Sequence, residues 1–288
     1  MAQYKMGQSK NGLGVMQAGI FSRTYAAKGE AVFAAIKADG FSAAQLNLSS
    51  LGLESLPASL PTDVLLKAKT DAAKHGVQLV ALSGTYNMAH PDPAQRQAQR
   101  LRFANVVRAA RLMGIGMVTL CTGSRDQNNK WAHHADNNSS EAWRDFRNEL
   151  DTALALADGL TLAIEPEPGN VVQGAKVARR VLDEVRSPHL KIILDAANLI
   201  GHDGMTRQYE IMAQAFELLG ADVVLAHAKD IDANGRVMPP GKGAVDLAAF
   251  VQGLKRARFS GAIVAHGFEE KESKAAGVFL NALLRRLD

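Results

Sequence analysis

The feature that most constrains this chain is its rhythm: short apolar runs alternate with longer amphipathic ones eight times in succession. The short runs cover residues 14–20, 43–48, 77–83, 117–122, 160–166, 191–194, 222–227 and 262–266. Most are rich in Val, Ile and Leu without strict polar alternation, as expected of strands covered on both faces. The longer runs predict helices over 29–38, 62–75, 93–113, 141–157, 175–185, 207–219, 247–258 and 271–286. Eight parallel strands can close on themselves and leave no unpaired sheet edge.

Helix boundaries carry their own signals. Asp92 can cap the helix that Pro93 opens, and Asp246 the seventh helix, because a carboxylate accepts the unpaired N–H groups of a first turn. Gly76, Gly114 and Gly220 follow helices and can take the left-handed conformation that ends them. The next strands start almost at once, so the helix-to-strand turns are tight and the strand-to-helix loops longer. The rival is an open, doubly wound sheet, which usually has a Gly-rich phosphate loop after its first strand. Here that place reads Phe21-Ser22-Arg23-Thr24. The expectation is an α/β fold, a (β/α)8 TIM barrel forming one domain over residues 1–288.

Composition agrees. The 288 residues are 47% hydrophobic and 22% charged, enough apolar material for one large core. The formal charge is +4, and Arg96, Arg100, Arg102, Arg108 and Arg111 recur at helical spacing. That run reads as a solvated helix face, which argues against a nucleic-acid partner. Cys121 is the only cysteine, so no disulfide forms within the chain. Its place in an apolar strand makes it a small core residue. Residues 1–10 are polar and lack the apolar stretch of a signal peptide, and no run is long enough to span a bilayer. The expectation is a cytoplasmic protein with no membrane partner.

Chemistry in such a barrel sits where strands end and loops begin. Strands five to eight end Ile164-Glu165, Leu194-Asp195, Ala226-His227 and Ala265-His266. Each passes from buried apolar residues to a group that needs a partner there, because an unpaired buried charge is costly. One divalent cation can serve two carboxylates and two imidazoles together. The mixed oxygen and nitrogen set suits Mn²⁺, Fe²⁺, Co²⁺ or Zn²⁺ better than Ca²⁺. The bland alternative is a buried ion-pair network.

With these residues in view, the chain resembles the xylose isomerase-like TIM-barrel superfamily, in particular the bacterial sugar phosphate isomerase/epimerase family. The resemblance runs over nearly the whole chain. It is carried by Thr122-Gly123-Ser124-Arg125-Asp126, Trp131 with His133 and His134, Ala163-Ile164-Glu165-Pro166-Glu167, Leu194-Asp195-Ala196-Ala197-Asn198-Leu199, His227-Ala228-Lys229-Asp230, Pro240-Gly241-Lys242-Gly243 and His266-Gly267-Phe268. It implies a metal held by Glu165, Asp195 and His227. A glutamate usually completes the site from the eighth strand, where this chain has His266. A histidine often stands three residues after the aspartate, where this chain has Asn198.

What the resemblance implies is one divalent ion, Mn²⁺ foremost, with Zn²⁺, Co²⁺ or Mg²⁺ as alternatives, and isomerisation or epimerisation of a sugar or sugar phosphate through a metal-stabilised enediolate. Glu165 is the matched base. The second acid/base is then His266, or Glu167 or Lys229, each two residues beyond a ligand and so on the same strand face. Trp131, His133, His134, Arg125 and Asn198 are the expected substrate contacts, and Gly241-Lys242-Gly243 offers backbone N–H groups to an anion. Trp143, near Phe146 at helical spacing, reads as packing. The incomplete carboxylate pair keeps two alternatives: a metal-dependent lyase or decarboxylase acting on a keto sugar acid, and a non-catalytic sugar-binding barrel. The superfamily's DNA-repair endonucleases, with several zinc ions, need more ligands on early strands than Gln45-Leu46-Asn47 and Leu82-Ser83-Gly84 supply. Related barrels often pair, so a homodimer is the implied assembly.

Overall fold

The computed structural model describes residues 15–201 and 203–287. Eight parallel strands close a barrel: β1 (Gln17–Phe21), β2 (Ala43–Leu46), β3 (Gln78–Ser83), β4 (Met117–Cys121), β5 (Thr161–Glu165), β6 (Leu190–Asp195), β7 (Val223–Ala228) and β10 (Ala262–Ala265). Closure is made by β1, which pairs with β10 from Gln17↔Ala262 to Ile20↔Ala265 and with β2 on its other edge. The expected first strand starts at Gly14, which lies outside the described residues, as does the stretch 1–10 read as polar. A two-stranded antiparallel hairpin, β8 (Asp230–Ile231) and β9 (Val237–Met238), stands beyond β7 and was not foreseen.

Helices cover the barrel: α1 (Glu30–Ala38), α2 (Thr62–Lys74), α3 (Pro93–Met113), α4 (Ser140–Ala157), α5 (Ala175–Val185), α6 (Ala196–Ile200), α7 (Gln208–Leu219), α8 (Leu247–Arg256) and α9 (Ser273–Leu287). All eight expected helices are present, and α6 is an additional short one. The capping signals act as read: Asp92 accepts from Ala94 N–H at 2.8 Å and Asp246 from Ala249 N–H at 2.8 Å. Gly76 and Gly114 are left-handed, with φ of 66° and 73°. Gly220 is not; its φ is −52°, and it continues into a 3-10 turn. A Cβ there would lie 3.2 Å from the Ala257 Cβ, so that glycine answers to close packing, not to a left-handed cap.

Two apolar layers result. One lies between strands and helices and includes Phe33, Phe103, Phe146 and Phe250. The other fills the barrel itself and mixes alanines with branched aliphatics, among them Ala43, Ala81, Ala163, Ile193, Leu225 and Val264. The arginine run on α3 needs correction. Arg96 is not on a solvated face: it is largely buried against α4, 3.2 Å from Asp145, while Arg100 pairs with Glu149 at 2.7 Å. Helix periodicity cannot tell a solvent-facing charge from one that meets an opposite charge on the next helix.

Close packing gives one stability prediction. The last helix approaches the start of the barrel so tightly that a Cβ on Gly277 would sit 2.1 Å from the Asp39 carbonyl oxygen. Backbone cannot rotate away as a side chain can. Gly277→Ala is expected to destabilise the protein by about 1–3 kcal/mol, seen as a lower urea midpoint with an unchanged slope.

Candidate metal centre

Strand geometry brings the site together. Side chains alternate between the two faces of a strand, so a residue two beyond an interior one also points inward, nearer the mouth. Ala163, Ile193, Leu225 and Val264 all pack inside the barrel. Two residues on from each stand Glu165, Asp195, His227 and His266. Register then aligns them: Asp195 pairs with His227 across β6 and β7, and His227 pairs with Val264 across β7 and β10.

Glu165, Asp195, His227 and His266 each offer a ligand atom, and these atoms lie within 4.8 Å of one another. Glu165 Oε1 is 3.0 Å from His227 Nδ1, and Asp195 Oδ2 is 3.0 Å from His266 Nε2. The two oxygens of Asp195 divide their work. Oδ1 caps α6 by accepting from Ala197 N–H at 2.8 Å, which leaves Oδ2 facing His266. His227 Nε2 is 2.7 Å from Gln45 Oε1, and Gln45 donates its amide to Thr119 Oγ1 at 3.2 Å. With its amide so oriented, Gln45 accepts from Nε2–H, and Nδ1 faces Glu165, donating to it when protonated and open to an ion when not. Such an outer partner fixes the tautomer and aim of a metal-binding histidine. Two carboxylates and two imidazoles converging at the end of an apolar barrel fit a divalent ion of the Mn²⁺ or Zn²⁺ type.

The electrostatics reflect like and unlike charges held in a dry place. Burial would push the Glu165 carboxyl up, but the facing His227 outweighs it and holds that carboxyl below its ordinary value. Burial opposes charge on His227, and Glu165 and Asp195 reverse this, so its pKa is raised. Asp195 is likewise held low against burial by Lys229 and His266. His266 is lowered by burial and by neighbouring His227. Burial and the charge of Glu165 push Glu167 up to about 8.

The other expected site residues divide. Glu167 and Trp131 line a cavity of about 210 Å³ together with Glu165, His227 and His266. Lys229 lies 3.8 Å from Asp195 Oδ2 and donates to Asn198 Oδ1; Asn198 in turn donates to Glu165 Oε1 at 2.9 Å. Lys229 and Asn198 therefore stand behind the ligands and do not line the cavity. Arg125, His133 and His134 are not brought to it. Arg125 is buried and donates to Asp145 at 2.8 Å and to the Ala89 carbonyl at 3.2 Å. His133 is exposed. His134 turns its Nδ1 to the Asp136 N–H. The loop after β4 folds sideways onto α4, and only its Lys130-Trp131 corner reaches the mouth.

The Gly241-Lys242-Gly243 amides do meet a carboxylate, but it is the protein's own. Buried Asp230 accepts from Gly241 and Gly243 at 3.1 and 2.9 Å, and from Val245 at 2.9 Å. Trp143 packs as read, with its ring 5.8 Å from Phe146 and the Arg180 guanidinium over its face. Cys121 is buried, and burial pushes its thiol up to about 11. The sequence reading missed Arg23, Gln45, Asn47, Ser83, Thr85, Thr119 and Lys130 as cavity residues. Gln45, Ser83 and Thr119 were findable, since each stands two residues beyond Ala43, Ala81 or Met117 on the inner face.

Fold and geometry together define a (β/α)8 barrel with a four-ligand candidate metal centre at the C-terminal ends of its strands. The chain belongs to the xylose isomerase-like TIM barrel family, whose model matches residues 33–283. No curated protein matches the sequence. Among solved structures, the apo form of 3-keto-D-glucoside 4-epimerase from E. coli is similar, with a TM-score of 0.71 and 16% identity over 93% of this chain and 99% of that one. The IOLI protein with a bound zinc atom is similar at a TM-score of 0.71 and 16% identity, covering 94% of this chain and 99% of its own. A xylose isomerase-like TIM barrel/4-hydroxyphenylpyruvate dioxygenase fusion protein matches at a TM-score of 0.69 and 15% identity over 92% of this chain, which spans 42% of that longer one. At these identities the likeness is one of fold. No helix among the described residues is long and apolar enough to cross a membrane.

Proposed function

We propose that the protein is a metal-dependent isomerase or epimerase of a small sugar or sugar acid. The observation that carries this reading is the convergence of Glu165, Asp195, His227 and His266 within 4.8 Å, beside a cavity of small-molecule size. A divalent ion there would polarise a substrate carbonyl and its neighbouring hydroxyl and so ease loss of the proton on the carbon between. His266 takes the place of the glutamate usual in the family as fourth ligand. Glu167 lines the cavity and lies outside the four, so it is the general base that removes the proton and delivers it to the adjacent carbon of an isomerase substrate; epimerisation would need a second group on the other face of the substrate. Lys229 and Asn198 hold Glu165 and Asp195 in place from behind. Trp131 presents an indole face suited to the apolar C–H face of a sugar. The sugar epimerase and the zinc-bound protein among the structural neighbours support substrate class and metal at this coarse level.

One carboxylate outside the ligand set is enough for a proton shift between adjacent carbons. It also suffices for a metal-dependent lyase acting on a keto sugar acid, and this is the second reading. The test is proton exchange. The Mn²⁺-loaded protein is incubated in heavy water with a panel of keto sugars and keto sugar acids, and deuterium entry beside the carbonyl is followed by NMR. Exchange is expected with at least one of them. Glu167→Gln should slow it about 100-fold, in line with the loss of a general base, while ion binding is retained. Ligand binding without exchange or turnover under any ion would leave a non-catalytic sugar-binding barrel.

A further inference from the structure

The cavity beside the candidate metal centre has two unlike halves. Its acids and imidazoles, Glu165, Glu167, His227 and His266, come from the last four barrel strands. The wall from the first four strands carries no acid and two cations, Arg23 just after β1 and Lys130 in the loop after β4. Neither has a carboxylate partner among the described residues. Lys130 is half-buried, yet among the described residues its ammonium donates only to neutral Thr85, to the carbonyl at 2.9 Å and the hydroxyl at 3.4 Å, and stands 5.4 Å from the Trp131 ring centre. Arg23 is exposed and makes no hydrogen bond or ion pair among the described residues. Elsewhere the partly buried arginines are matched: Arg100 finds Glu149 and Arg125 finds Asp145.

On the reading proposed above, a divalent ion and Lys229, which lies 3.8 Å from Asp195 Oδ2, together match the charges of Glu165, Asp195 and Glu167. Arg23 and Lys130 then remain as unmatched charge in the cavity lining. We infer that the substrate carries a terminal anion, a carboxylate or a phosphate, which Arg23 and Lys130 bind while the carbonyl end meets the metal cluster. A guanidinium and an ammonium with neutral Asn47, Ser83 and Thr85 around them recognise a charged oxygen group far better than a hydroxyl, because charge-assisted hydrogen bonds are about twice as strong as neutral ones. The substrate is therefore a sugar acid or a sugar phosphate, not a free sugar.

Three probes that differ only at the far carbon test this: D-fructose, D-fructuronate and D-fructose 6-phosphate, titrated calorimetrically into the Mn²⁺-loaded protein. At least one anion is expected to bind about tenfold or more tightly than D-fructose, and which one does so tells carboxylate from phosphate. Arg23→Gln and Lys130→Gln should each reduce that preference while leaving Mn²⁺ affinity unchanged. The inference is overturned if neither anion binds more tightly than D-fructose, or if the preference survives in both variants. Failure of the wild-type protein to bind Mn²⁺, Zn²⁺ or Co²⁺ would instead remove the functional reading, and this inference with it.

Discussion

Replacing Glu165 with glutamine is expected to abolish tight binding of a divalent ion and to lower proton exchange about 10⁴-fold. Glu165 contributes one of the four ligand atoms, and the same Oε1 is 3.0 Å from His227 Nδ1 and accepts from Asn198 at 2.9 Å. A neutral amide keeps the shape but loses the charge that offsets the ion and the charge that orients His227. Removing an outer partner of a metal ligand typically costs about 10–100-fold in affinity, so loss of a ligand should exceed that. The catalytic loss is larger because the polarisation supplied by an ion is worth several kcal/mol. Equilibrium dialysis with metal analysis should give about one ion per wild-type chain and close to none in the variant. One ion per chain in Glu165→Gln, with unchanged affinity, would show that Glu165 is not a ligand of the bound ion and would overturn the four-ligand centre.

The second expected result is a pH-dependent rise in melting temperature when ion is supplied. At a free concentration of about 100 times the dissociation constant, an ion that binds only the folded state stabilises it by about 2.7 kcal/mol, worth roughly 5–10 °C in a chain of this size. The sign with pH follows from the cluster. His227 has a raised pKa in the folded protein, so the stability of its charged pairing with Glu165 is fully present below the unfolded value and is lost as pH rises through the folded one. Glu165 is depressed, so its share is present above its ordinary carboxylate value and lost as pH falls through the folded value. The pairing is therefore strongest in mildly acid solution. An ion needs the imidazoles without protons, so its advantage grows in the opposite direction. Differential scanning at pH 5.5 and pH 8, with Mn²⁺ or with chelator, should show the smaller shift at pH 5.5. Equal shifts at both values would contradict ligation by His227 and His266.

Much of this protein was legible before its coordinates. The eight strand–helix units, the Asp92 and Asp246 caps and the four converging strand-end residues all rest on local patterns: apolar runs, side-chain periodicity and the chemistry of an interrupted apolar run. The candidate ligand set was readable because a period of two points Glu165, Asp195, His227 and His266 inward from the residues before them. The same rule would have supplied Gln45, Ser83 and Thr119 as cavity residues; the neutral side chains of Gln45 and Ser83 were weighed only as missing ligands. Arg125 and His133 were misplaced because a polar loop has no period to tell which way its residues face. Arg96 was misplaced because its partner lies on another helix. Lys242 drew attention for its flanking glycines, whose amides are already taken by Asp230, eleven residues or more away along the chain.

By itself the amino-acid order determined which segments become the eight barrel strands and the eight longer helices, and which strand side chains turn toward the axis, since each depends on neighbours a few residues apart. Only the closed barrel decided what those side chains meet. It set Asp195 against His227, put Asn198 and Lys229 behind the candidate ligands, and brought Arg23 and Lys130 into the lining of the same cavity. Those relations come from strand register and helix docking between residues far apart in the chain, where packing and charge pairing, not local propensity, select the arrangement.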